Sequence, residues 1–209
     1  MMSLVNALPG AVAQGLIWGI MAIGVYLTFR ILDIADLTVD GSLGTGGAVC
    51  IMLMLSGQNV WVSMAGATAA GMAAGLATGI LHTFMGIPAI LAGILTQLGL
   101  YSINLKTMGK ANQAINVDKY DLLVSLRFIR KVPFYRNTIL MVAITIIILI
   151  AVLYWFFGTE LGCSLRATGC NDKMARAQGI NTDLSRVLGL MISNGLVALS
   201  GAMLCQYQG

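Results

Sequence analysis

Thr159–Asn181, TELGCSLRATGCNDKMARAQGIN, is a charged, helix-prone stretch held between two long apolar runs. Before it stands Thr138–Phe157, TILMVAITIIILIAVLYWFF, and after it Leu184–Leu204, LSRVLGLMISNGLVALSGAML. Each run is about 20 residues long, which is what a roughly 30 Å hydrocarbon layer asks of a helix. The stretch between them cannot enter lipid, so it presents a surface at the membrane. We read that surface as one that receives force from a soluble partner.

Composition agrees with a chain built for lipid. Its 209 residues are 58% hydrophobic and 10% charged, with a mean hydropathy of +0.87. A soluble domain carries about 25% charged residues. Short alternating strands are absent, which argues against an outer-membrane barrel. The fold class expected is all-α, a polytopic helical membrane protein with one transmembrane domain over residues 1–209. The 25 glycines and three prolines suit helices that approach closely in lipid. The net charge of +4 sets topology rather than binding nucleic acid, because no Lys/Arg cluster is interleaved with aromatics. Cys50, Cys163, Cys170 and Cys205 are scattered without CxxC spacing and read as packing or surface thiols. The opening MMSLVNALPGAVAQG lacks a basic n-region, so the first span is expected to be retained.

About six spans are expected, near 9–29, 37–55, 61–81, 87–105, 138–157 and 184–204, with the polar loop at 159–181. Gly15 and Gly19 make a GxxxG pair in the first. The second is unusual. Asp33, Asp36 and Asp40 are followed by glycines 41, 44, 46 and 47, and Ala48–Leu55 is too short to span alone. A span reaching back to Leu37 takes Asp40 and the glycines into the membrane, where an aspartate costs on the order of 2.5–3.5 kcal/mol. Broken helices are tolerated at that depth where they line a cavity. Residues 33–47 are therefore expected to form a discontinuous element facing a polar path; the alternative is a solvated loop and a poorly formed span. Gly71, Gly75 and Gly79 give the third span a small-residue packing stripe. His82, the only histidine, reads as an interfacial residue, and Pro88 opens the fourth span where a helix start tolerates it. Thr96, Gln97, Ser102 and Asn104 lie at membrane depth, to bond neighbouring helices or touch a solute.

The connection 106–137 carries Lys106, Lys110, Lys119, Arg127, Arg130, Lys131 and Arg136, and Leu122, Leu126 and Ile129 give it an amphipathic piece. After span five come Arg166, Lys173, Arg176 and Arg186. A positive-inside count places 106–137 in the cytoplasm, yet one span cannot leave both basic flanks there.

Enzyme chemistry is missing. There is one His and one Glu, with no HExxH, no GxSxG elbow and no metal-ligand cluster. The sequence holds no GxxxxGK[ST] either, so it binds no nucleotide cofactor of its own.

Two long motifs support a family. Gly162-Cys-Ser-Leu-Arg166-Ala167, then Asn171, then Ala175-Arg176-Ala-Gln-Gly179-Ile180-Asn181 resembles the cytoplasmic loop of ABC-importer permeases of the branched-chain amino-acid and ribose type. Their pattern reads G-x-x-x-R-A, N, then E-A-A-R-x-x-G-I-N, and Leu199-Ser200-Gly201-Ala202 fits the ending of their next span. Tyr26-Leu-Thr-Phe-Arg30-Ile-Leu-Asp33-Ile-Ala-Asp36-Leu-Thr38-Val-Asp40-Gly41-Ser42 is similar to the same segment of tryptophan/tyrosine-type uptake permeases, as are Leu81-His82-Thr83, Leu91–Thr96 and Tyr101–Leu105. Lys173 stands where the pattern has glutamate and Met174 where it has alanine, and the chain stops where such permeases continue, so it is expected to be C-terminally incomplete.

The resemblance implies a multi-pass permease of the bacterial inner membrane that moves a small solute, an amino acid by preference. It implies partner ATPases that use the ATP, an external substrate-binding protein, and a second permease subunit, a homodimer. It places 159–181 in the cytoplasm as a coupling helix, with Gly162, Arg166, Ala167, Ala175, Arg176 and Gly179 at the ATPase contact, and 106–137 outside. Asp33, Asp36, Asp40, Gln97 and Asn104 are the candidates for the translocation path. The rival reading is a secondary transporter or channel driven by an ion gradient, with Asp40 holding the coupling ion; a third is a short form that only occupies an assembly.

Overall fold

A computed structural model describes residues 2–110, 124 and 138–208. The amphipathic piece at Leu122, Leu126 and Ile129 lies outside the described residues, as does most of the basic connection. Among the described residues every regular element is helical, and six helices are long and apolar enough to cross a membrane. Helix α1 (Met2–Tyr26) runs into a π-helical turn at Leu27–Ile31. Then follow α2 (Thr38–Leu55), α3 (Val60–Thr83), α4 (Ala89–Met108) and α5 (Thr138–Gly158). The polar stretch folds as α6 (Glu160–Cys170) and α7 (Asp172–Ala177), and α8 (Thr182–Gln208) closes the chain.

Helix α8 is the axis. In its most apolar window 67% of residues are buried, against 11% for α5, which therefore stands at the lipid-facing edge. Small residues let the other helices reach α8. A Cβ built at Gly75 would meet the Leu190 carbonyl oxygen, one at Gly71 the Ala198 side chain, and one at Gly79 would lie 3.1 Å from Val187 Cα. The stripe on α3 thus packs antiparallel against α8, with backbone near backbone.

Helices α1 and α8 also run antiparallel, joined by a seam with a seven-residue period on both. Tyr207 Oη donates to the Gly10 carbonyl at 2.8 Å, Ser200 Oγ to Ile17 at 2.8 Å, and Ser193 Oγ to Gly24 at 2.7 Å. Ala13, Ile17, Ile20, Val142, Leu149, Met203 and Tyr207 fill the space between α1, α5 and α8.

The break expected over 33–47 is narrower than the sequence suggests. Irregular backbone is confined to 32–37, and from Thr38 the glycines belong to one continuous helix. The reason is packing. A Cβ at Gly46 would collide with the Ala198 backbone, one at Gly47 with Cys205 Sγ, and one at Gly41 would lie 3.0 Å from Gln97 Cα. Each glycine costs a lone helix about 1 kcal/mol, and close approach to α8 and α4 offsets that cost. The other departure is at Asp33, whose φ of 56° is in the left-handed region.

A single coupling helix is likewise replaced by two. Thr159 Oγ1 accepts from Gly162 N, Asn171 Oδ1 from Met174 N and Asn181 Oδ1 from Leu184 N, at 3.4, 3.1 and 3.1 Å. Each polar side chain caps the helix that follows it, and Asn171, at φ −159° and ψ 99°, turns the chain between α6 and α7.

Candidate functional site

The end of α1, the start of α2, the end of α3, the start of α4 and the α6–α7 unit meet at one end of the bundle. Helix α6 is seated there by its own small residues. Gly162 is in its first turn, and a Cβ on it would strike the Phe156 carbonyl and Phe157 Cα. Gly169 lies against the Ile31 carbonyl of the π-helical turn, and Leu165 is buried with Leu27, Leu32, Ile34 and Leu190. Arg166 is exposed yet directed inward, donating from Nη2 to the Phe157 carbonyl at 3.0 Å.

Helix α7 is tied to α8 by charge. Asp172 pairs with Arg186 at 3.2 Å. Arg176 donates to Thr182 Oγ1 at 2.8 Å and pairs with Asp183 at 3.0 Å. The acid in its first turn and the base in its last also suit the helix dipole. Ala175 is buried and Ala167 half-buried, while Gly179 ends the unit at φ 84°. What faces outward is Lys173, Met174, Ala177 and Gln178, with Leu161 and Leu184 exposed nearby. Of the six residues expected at a partner's surface, Gly162 and Ala175 are therefore turned inward, and both arginines bond to their own chain.

The five residues expected along a path fall into three places. Asp33 lines a crevice of about 510 Å³ whose wall includes His82, Cys170, Asp172 and Arg186. His82 Nδ1 lies 2.8 Å from the Ile87 carbonyl. Gln97 and Asn104, half-buried on α4, border Gly41 and Gly44 of α2, and Asp40 is exposed in α2's first turn.

Asp36 is drawn elsewhere, into a buried polar set. Its Oδ1 accepts from Thr38 N at 2.9 Å and its Oδ2 from Asn194 Nδ2 at 2.7 Å. Asn194 Oδ1 in turn accepts from Ser42 Oγ at 2.7 Å. Thr38 Oγ1 lies 2.7 Å from Thr78 Oγ1, which donates to Thr96 Oγ1 at 3.0 Å. Ser42, Thr38 and Asn194 are each 0% exposed. The sequence signal for Asn194 was a carboxamide in the middle of an apolar span, a placement that lipid penalises unless a partner is present; the partner itself was not readable.

A family model described as "Branched-chain amino acid transport system / permease component" matches residues 8–209. The tyrosine transport system permease protein of Clostridioides difficile (strain R20291) is 37% identical over 204 residues, covering 98% of this chain and 66% of that protein. An uncharacterized protein of Rickettsia prowazekii (strain Madrid E) is 34% identical, covering 98% and 69%. The autoinducer 2 import system permease protein LsrC of Yersinia pestis (strain Pestoides F) is 31% identical over 193 residues, covering 91% of this chain and 52% of that protein. The chain thus spans about two thirds of the first two relatives and about half of the third. No solved structure matches it.

Proposed function

This chain belongs to the family of branched-chain amino acid transport system permease components, a family of transporters and not of enzymes, and on that premise we propose that it is the membrane-spanning subunit of an ABC importer in the bacterial inner membrane. The solute is a small amino acid-like molecule, with tyrosine the first to test given the relative's name. Separate ATPase subunits use the ATP, an external binding protein delivers the solute, and a second permease subunit completes the path.

The observation that carries the reading is the α6–α7 unit, a polar pair of helices braced against α5, the π-helical turn and α8 and exposing Lys173, Met174, Ala177 and Gln178. A partner that presses on those four side chains moves a rigid body. Gly162, Arg166, Ala167, Ala175, Arg176 and Gly179 position that body, Asp36, Asp40, Gln97 and Asn104 border the route between α2, α4 and α8, and Asp33 lines the crevice at the α6–α7 end. Lys173, where the family pattern has glutamate, sets the charge its partner must complement.

The test is co-purification of the ATPase subunit with this chain from the same membranes. Lys173→Glu/Met174→Glu is expected to lower recovery at least tenfold while the chain stays in the membrane. Undiminished recovery overturns the contact. Uptake of labelled L-tyrosine that needs no ATPase and stops when the proton or sodium gradient is dissipated would select the gradient-driven reading instead.

A further inference from the structure

The segment that α6 rests on departs from regular backbone three times. It holds a π-helical turn at Leu27–Ile31, a left-handed aspartate at 33, and irregular chain to residue 37. Such irregularities mark places where a fold stores strain or bends. Helix α6 touches the segment through Gly169 against Ile31, and α8 touches it through Gly189, where a Cβ would lie 2.5 Å from Leu32 Cδ2. Beyond Asp33 the segment is returned to α8 by Ile34, which is buried in one cluster with Leu190, and by a side-chain hydrogen bond, Asn194 to Asp36.

We propose that Asn194 is a positioning residue, a latch whose carboxamide joins Asp36 of the 32–37 turn to Ser42 of α2, so that displacement of the α6–α8 unit is delivered to the start of α2. This rests on the transport reading above, because it gives the coupling unit a route inward.

The geometry supports a latch more than a filler. The Asn194 side chain uses both ends across the interface, donating to a carboxylate on the turn and accepting from a hydroxyl on the helix. Its second Nδ2 proton goes to the Leu190 carbonyl at 3.0 Å, which fixes the amide plane. Asp36 meanwhile holds the first free N–H of α2 through Thr38. Thr38, Thr78 and Thr96 carry the same hydrogen-bonded set across α3 and α4. A bond made at low dielectric between groups on separate elements is either made or broken, so it has the two discrete arrangements that coupling requires. The groups that α3, α4 and α8 offer the set are neutral. Asp33 and Asp40 flank it on its own segment, and His82, one turn beyond Thr78 on α3, is bonded to Ile87.

The chemistry of the pair supplies its own test. Exchanging the partners, as Asp36→Asn/Asn194→Asp, leaves every bond between 36, 38, 42 and 194 with a donor and an acceptor. Asn194→Asp alone sets two carboxylates face to face, and they hold together only while they share a proton. Hydrogen exchange is measured on the chain in lipid nanodiscs, with rates corrected for the intrinsic pH dependence. Asn194→Leu is expected to raise exchange at amides 38–42 at least tenfold. Asn194→Asp keeps those amides protected near pH 5 and loses protection by pH 8, and the swapped pair restores the flat profile of the native protein. A second arm perturbs α6 by Gly169→Ala: exchange at 38–42 rises in the native background and shows no further rise in Asn194→Leu.

Unchanged protection in Asn194→Leu, a flat profile in Asn194→Asp, or an equal response to Gly169→Ala in both backgrounds overturns the latch. None of these measurements needs an ATPase. Failure of the latch therefore leaves the co-purification result standing, and failure of co-purification leaves the hydrogen-exchange result standing.

Discussion

A methyl group on Gly75 would meet the Leu190 carbonyl oxygen, and one on Gly46 the Ala198 backbone, whereas one on Gly15 or Gly19 would meet nothing within 4 Å. The same substitution should thus have opposite signs at different glycines. Gly75→Ala and Gly46→Ala are expected to destabilise by about 1–3 kcal/mol each through overpacking. Gly19→Ala is expected to be neutral or stabilising by up to about 1 kcal/mol from helix propensity. Reversible unfolding in mixed micelles would read both, and equal effects would mean that the helix faces are misassigned. The comparison shows what single residues disclose. Gly15 and Gly19 have the spacing of a packing motif, as do Gly71, Gly75 and Gly79, but only the second set meets α8, because spacing defines a face and not the neighbour. Asn194 makes the same point for polar groups. Its cost in lipid was legible, while its bonds to Asp36 and Ser42 depend on how α8 crosses α2 and on where the chain bends before Thr38.

At the scale of elements, apolar length is the strongest signal in the chain, since lipid lets no short or irregular segment pass uncovered. That is why six crossings and the polar interruption at 159–181 were readable. The subdivision of the interruption was present in the sequence too, in Thr159, Asn171 and Asn181, each three residues before the amide that it caps. The break before α2 was misplaced because glycine propensity was weighed without the packing that overrides it. The α1–α8 seam is a further product of tertiary register, and it sets a prediction for those two helices. Ser193→Ala, Ser200→Ala and Tyr207→Phe are each expected to cost about 0.6 kcal/mol, the mean worth of such bonds in a bilayer. The sites are two helical turns apart, roughly 10 Å, so the three losses should add within about 0.5 kcal/mol. Steric-trap unfolding in bicelles would measure them. A triple variant far weaker than the sum would show that the seam forms as one cooperative unit.

For the whole molecule, orientation follows from charge, and the fold changes the terms of the charge count. Arg30, in the π-helical turn, lies at the same end as Arg166, Lys173, Arg176 and Arg186, because Gly169 of α6 abuts Ile31. Five basic residues at the α6–α7 end now stand against the seven of segment 106–137. On the proposed function, a coupling unit that meets a cytoplasmic ATPase outweighs so narrow a margin. The native thiols can decide it. Cys163 and Cys170 are exposed on α6, whereas Cys50 is buried and Cys205 partly so. In spheroplasts, a membrane-impermeant maleimide is expected to leave Cys163 and Cys170 unmodified until the cells are permeabilised. The signal after permeabilisation should disappear in Cys163→Ser/Cys170→Ser. In that same background Lys110→Cys, exposed beyond the far end of α4, should react before permeabilisation. A reporter fused after Lys119 gives an independent reading, external activity being expected. If Cys163 and Cys170 react in intact spheroplasts, the α6–α7 unit faces outward, and no ATPase can drive this chain through it.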